Sequence, residues 1–140
     1  MSDLNYEVLE IGSELPPHIC GPISRTDLAL FAGGSGDHNP IHIDSDFAKK
    51  FGMDDVFAQG MLSMAYLAQL LTQWVDQQQL REYGVRFTSI TPLYATVKCT
   101  GKVTEKFTSE TGEQCLRVEV ITTIDGGVQT LIGDAVIGFG

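Results

Sequence analysis

Gly60-Met61-Leu62-Ser63-Met64-Ala65-Tyr66-Leu67-Ala68-Gln69-Leu70-Leu71-Thr72-Gln73-Trp74-Val75 is the longest helical signal in the chain and contains neither Asp nor Glu. Met61, Met64, Ala65 and Ala68 fall at i, i+3, i+4 and i+7; Leu71 and Val75 extend the row, and Leu62, Tyr66 and Leu70 widen it. A helix apolar over so wide an arc reads as largely buried across residues 60–75. Asp76-Gln77-Gln78-Gln79 breaks the pattern, and from Tyr83 the period changes from 3.6 to 2. Residues 83–90, 95–107, 115–124 and 128–139 are rich in β-branched and aromatic side chains. Thr91-Pro92, Thr111-Gly112 and Asp125-Gly126-Gly127 part them as turns, and the Asp-Gly pair predicts a tight hairpin. The last three strands therefore read as an antiparallel meander, and a buried helix followed by a run of strands makes an α+β chain.

Upstream of that helix, Ser35-Gly36-Asp37-His38-Asn39-Pro40-Ile41-His42-Ile43-Asp44 gathers acids, bases and backbone-bending residues more densely than any other ten positions. Pro40 fixes its own φ, lacks an N–H and pushes Asn39 into extended geometry, so the chain turns at Asn39-Pro40. In a continuous helix Asp37 and His42 would lie about 140° apart around the axis; a turn can bring them onto one small volume. A carboxylate and an imidazole able to hold one water near neutral pH are the parts of general acid–base catalysis. An exposed turn carboxylate and a packed histidine are the bland readings of the same two residues. Asn39 reads as an orienting residue whose amide ties the turn to backbone. His38, His42, Asp37 and Asp44 make a poor tetrahedral cage across a proline turn, so no metal site is expected.

The remaining segments are shorter. Residues 6–11 and 18–23 read as short strands or extended arms. Ser24-Arg25-Thr26-Asp27 has the form of a capping box opening a helix that Gly33-Gly34 should stop. Ser45-Asp46 should open a second short helix over residues 47–51, ending at Gly52. Lys49-Lys50 at its end reads as a solvated face or as a phosphate contact. Met61 and Met64 suit core filling or a substrate-facing wall, and Arg86 suits a structural ion pair or a ligand contact. Ser63 lacks a G-x-S-x-G setting and reads as a helix-start or pocket residue.

Phe31-Ala32-Gly33-Gly34-Ser35-Gly36-Asp37-His38-Asn39-Pro40-Ile41-His42, with Ala48 six residues on, resembles the hydratase 2 motif of MaoC-like, (R)-specific enoyl-CoA hydratases. Ala58-Gln59-Gly60-Met61-Leu62 is similar to the segment that follows the motif, although most members carry His where Gln59 stands. Glu82-Tyr83-Gly84-Val85-Arg86-Phe87-Thr88 resembles a strand of (3R)-hydroxyacyl-ACP dehydratase subunits. The resemblance covers nearly the whole chain. It implies a hot dog fold, an antiparallel sheet wrapped around the long helix, and interconversion of trans-2-enoyl and (3R)-3-hydroxyacyl thioesters. It also implies catalysis by Asp37 and His42, with the Gly60 N–H taking developing negative charge and no cofactor. Its alternative is a non-catalytic or partner-dependent subunit of a heteromeric dehydratase. A hot dog thioesterase is disfavoured because the helix offers no carboxylate.

At 140 residues the chain suits one hot dog domain, 1–140, with a core of its own. Eighteen acidic against nine basic residues give a net charge of -9, which excludes nucleic acid and anionic membranes as expected partners. The expected partner is an acyl-CoA or acyl carrier protein thioester, and open strand edges predict a homodimer. Cys20, Cys99 and Cys115 are odd in number and widely spaced, which indicates neither a disulfide framework nor zinc and fits the cytoplasm. The acidic start Met1-Ser2-Asp3-Leu4-Asn5-Tyr6-Glu7 predicts no secretory signal, and no apolar run has the length of a membrane span.

Overall fold

A computed structural model describes residues 4–140; Met1, Ser2 and Asp3, part of the acidic start, lie outside the described residues. Strand β1 (His18–Cys20) leads to helix α1 (Arg25–Ser35), a single 3-10 turn (Pro40–His42), α2 (Ser45–Lys50) and α3 (Gly60–Thr72). Strands β2 (Leu80–Phe87), β3 (Val97–Thr108), β4 (Gln114–Ile124) and β5 (Val128–Gly138) follow. All pairings are antiparallel, in the order β1-β3-β4-β5-β2. The expected meander is β3-β4-β5, and its last hairpin turns on Gly126 and Gly127 at φ 81° and 78°. α3 lies against β1, β2, β3 and β4, the hot dog arrangement.

The core forms where the α3 face meets the inward residues of the meander. Leu62, Leu67, Leu70 and Leu71 are buried against Val97, Val103, Leu116, Val118, Val120, Leu131 and Ile137. This face is rotated by one residue from the row expected at Met61, Met64, Ala65 and Ala68. Met61 is 56% exposed, Ala65 is exposed, and Met64 is half-buried. Both rows satisfy helical spacing, and the bulkier leucine row wins the core because it removes more apolar surface from water. The helix also stops at Thr72 rather than Val75, yet Trp74 and Val75 stay buried in the turn beyond it. No helix among the described residues is long and apolar enough to cross a membrane.

Local signals held at helix starts better than at stops. Ser24 Oγ accepts from Asp27 N–H at 3.0 Å and Asp27 Oδ2 accepts from Ser24 N–H at 2.8 Å, the reciprocal pair of a capping box. α1 runs through Gly33 and Gly34, however, and ends at Gly36, which adopts φ 80° and returns its N–H to Ala32 at 3.0 Å. A glycine inside a helix costs only about 1 kcal/mol, whereas the left-handed residue of a C-terminal stop needs glycine outright. α2 begins at Ser45 rather than Phe47, because Asp44 accepts from the Asp46 and Phe47 N–H groups. Residues 6–11 form turns, not a strand: Lys106 Nζ donates to the Tyr6 and Leu9 carbonyls at 2.9 and 2.8 Å.

β2 is an outer strand that pairs with β5, and Gly133 of β5 lies opposite Val85. A Cβ there would run into the Gly84 carbonyl and lie 2.8 Å from the Val85 Cα, both backbone atoms of β2. Gly133→Ala should therefore push β2 away and destabilise the fold by about 1–3 kcal/mol, the range for overpacking. Thermal denaturation measures this, and an unchanged midpoint would contradict so tight a contact.

Candidate active site

Asn39-Pro40 turns the chain as its residue types require. Asn39 caps the 3-10 turn with Oδ1, which accepts from Ile41 N–H at 3.1 Å, and Pro40 takes the first turn position, where no N–H is needed. Upstream, Asn39 N–H donates to Asp37 Oδ1 at 3.3 Å and Asp37 N–H donates to Ser35 Oγ at 3.1 Å. One Asp37 oxygen is thus spent on the loop, and the other faces His42.

The His42 side chain is 11% exposed, with its ring edge-on to Phe57 at 5.0 Å between centroids. Its Nδ1 lies 2.7 Å from the Phe57 carbonyl oxygen. A carbonyl only accepts, so Nδ1 carries the hydrogen and a neutral ring presents its lone pair at Nε2. That Nε2 stands 3.7 Å from Asp37 Oδ2, whose side chain is 45% exposed. The separation is too long for a direct hydrogen bond and short enough for both groups to touch one small oxygen.

Gly60 is the first residue of α3, where N–H groups have no helical acceptor and point toward incoming negative charge. A cavity of about 320 Å³ opens there, lined by Phe57, Ala58, Gly60, Phe87, Thr88, Ser89, Ile90, Thr91 and Leu131. Phe57 joins the parts, since its carbonyl holds His42 and it also lines the cavity. A larger concavity of about 640 Å³ lies on the outer face of the sheet, between Gly84, Arg86, Arg117 and Asp134. Neither Asp37 nor His42 lines it, and Arg117 there is paired with Glu105 and Asp134 at 3.2 and 2.7 Å.

Asp37, Asn39 and His42 thus meet on the motif turn, which the Phe57 carbonyl ties to the segment leading into Gly60, although Gly60 alone of the four lines the cavity; the other expected site residues lie elsewhere. Arg86 alternates outward, away from the cavity, while its neighbours Val85 and Phe87 face α3. Lys49 and Lys50 are exposed in the last turn of α2, where positive charge complements the helix dipole, and do not line the cavity. Neither Met61 nor Met64 lines it. Ser63 is fully buried, its Oγ 3.3 Å from Thr91 Oγ1. Tyr83 donates to the Met64 carbonyl at 2.7 Å, and burial raises its phenol well above the ordinary range. No group of three or more His, Cys, Asp or Glu side chains is placed to hold a metal among the described residues. Phe57 escaped the sequence reading because its contribution is a carbonyl, which every residue has. Phe87 was legible only as one more β residue.

The family model for the MaoC like domain matches residues 9–124. The chain is 35% identical over 92 residues to an (R)-specific enoyl-CoA hydratase of Rhodospirillum rubrum, a match spanning 60% of this chain and 62% of that protein. It is 37% identical over 82 residues to the 3-hydroxyacyl-thioester dehydratase X of Mycobacterium tuberculosis, spanning 58% of this chain and 28% of that one. Less than two thirds of either relative is covered. Among solved structures, the R-hydratase PhaJ1 from Pseudomonas aeruginosa superposes with a TM-score of 0.82 at 28% identity, over 94% of this chain and 83% of that one. With a family match over most of its length, the motif turn at Asp37–His42 and this architecture, the chain belongs to the MaoC-like dehydratase family.

Proposed function

We propose that this chain, acting as one hot dog domain, is an (R)-specific hydratase/dehydratase that interconverts trans-2-enoyl and (3R)-3-hydroxyacyl thioesters of CoA or acyl carrier protein. The reading rests on the His42 ring, whose Nδ1–H is committed to the Phe57 carbonyl at 2.7 Å so that basic Nε2 faces the Asp37 carboxylate. In hydration the pair holds one water. The water gives up a proton to the pair as its oxygen bonds to C3, the C2–C3 π electrons move toward C2 and the carbonyl, and the pair returns a proton to C2. Dehydration runs the same steps backward. The thioester oxygen, negative as the enolate forms, accepts from the Gly60 N–H, and the cavity beside Phe57 and Phe87 takes the acyl chain. Asn39 holds the turn so that Asp37 keeps its free oxygen toward His42.

Assembly belongs to the same proposal. β2 is an outer strand of eight residues, and Phe87 and Ile90 beyond its core face are 54% and 50% exposed beside the cavity. An open edge beside exposed aromatic and aliphatic surface favours a homodimer. Light scattering at micromolar concentration should give twice the chain mass; monomer alone counts against it.

Purified protein mixed with crotonyl-CoA should show loss of the enoyl-thioester absorbance, with the (R)-3-hydroxybutyryl thioester as product. No loss by the folded protein alone would overturn the assignment of a self-sufficient hydratase. Loss that appears only on adding a second subunit would identify a partner-dependent one.

A further inference from the structure

Gln59 precedes the proposed donor Gly60 and is only 1% exposed. Its carbonyl accepts from Leu62 N–H at 3.0 Å to open α3, while its side chain makes no capping bond there. The side-chain amide reaches the other way, and Nε2 donates to the Leu28 carbonyl of α1 at 3.0 Å. Leu28 belongs to the helix that passes through Gly36 to Asp37. One buried side chain thus spans from the start of α3 to the helix that delivers the carboxylate. Toward solvent the two helices are parted by a groove of about 490 Å³, with Leu30 and Phe31 on one wall and Leu62 and Tyr66 on the other.

Gln59 Oε1 is buried and accepts from no protein group among the described residues. Ser63, one turn along α3, has its hydroxyl against Thr91 instead. Turning the amide over would set Oε1 against the Leu28 carbonyl, acceptor on acceptor, so the orientation is determined. An apolar side chain of equal volume would fill the same space but could not make the bond to Leu28. A buried amide that bonds from one helix start to another helix points to a geometric task.

We propose that Gln59 is a positioning residue whose amide ties the start of α3 to the first turn of α1 and, through α1 acting as a rigid rod, fixes where Asp37 stands relative to the Gly60 N–H. The proposal rests on the hydratase reading above. Gln59→Met keeps the length and volume and removes both polar atoms. Its midpoint of thermal denaturation should stay close to that of the natural chain, while kcat on crotonyl-CoA falls about 10- to 100-fold, as small misplacements of reacting groups do, with KM little changed. Gln59→Glu should be partly active only at low pH, because only the protonated carboxyl can donate to the Leu28 carbonyl. An unchanged kcat in Gln59→Met, or a kcat that falls only together with the denaturation midpoint, would overturn the positioning role. Should the natural chain itself fail to hydrate crotonyl-CoA, the hydratase reading falls separately. The strut is then judged by hydrogen exchange: Gln59→Met should speed exchange of the amides of His42, Ile43 and Asp44 but not those of β4, and equal protection would overturn it.

Discussion

Turnover of crotonyl-CoA by Asp37→Asn and by His42→Ala should fall at least 10²- to 10⁴-fold, the usual worth of general acid–base catalysis. Asp37→Asn is the cleaner change. The amide oxygen of an asparagine can still accept from Asn39 N–H, the bond Asp37 Oδ1 makes at 3.3 Å, so the loop has every reason to stay in place. What is lost is the carboxylate oxygen 3.7 Å from His42 Nε2. His42→Ala removes more: a nearly buried ring, its edge contact with Phe57 and the donor to the Phe57 carbonyl. That carbonyl left unpaired costs about 1–3 kcal/mol, so the variant must be shown folded by circular dichroism before its rate is read. Two folded variants with near-natural turnover would remove the acid–base assignment altogether.

How much of this was legible beforehand depends on the range of the interaction involved. The turn at Asn39-Pro40 and the α1 capping box were readable because each is settled by residues within three positions of one another. The meander was readable for the same reason, through Asp125-Gly126-Gly127. The strand order was not, since β2 crosses to the far side of β5 and β1 pairs with β3, contacts that no local pattern encodes. On α3, Leu62, Leu70 and Leu71 were legible as buried positions, while Met61 and Ala65 were expected inside and lie outside, because two apolar rows met the same spacing and only the sheet beneath decides between them. In the site, the residue types of Asp37 and His42 were plain. The tautomer of His42 was not, because it follows from a carbonyl fifteen residues away. Arg86 looked equally suited to a ligand or an ion pair, and strand alternation alone sent it to the outer face.

Gly60→Pro should lower kcat about 10²- to 10³-fold with little change in KM, the loss expected when one donor to a developing oxyanion is removed. The fold can accommodate proline here. Gly60 is the first residue of α3, where a missing N–H breaks no helical bond, and the preceding Gln59 already has φ -58° and ψ 134°, the extended geometry proline demands of its neighbour. The added ring has a steric consequence as well, because a Cβ on Gly60 would lie 2.9 Å from the Phe87 ring. Phe87 is a half-exposed side chain free to swing, and Gly60→Ala imposes the same displacement while keeping the N–H. The comparison of the two variants therefore separates crowding against Phe87 from changes at the Gly60 nitrogen. If alanine and proline lower kcat equally, crowding against Phe87 explains the loss and the Gly60 amide is not the oxyanion donor. If alanine keeps most of the rate and folded Gly60→Pro loses it, the thioester oxygen sits at the Gly60 nitrogen, where proline replaces the N–H with a Cδ methylene.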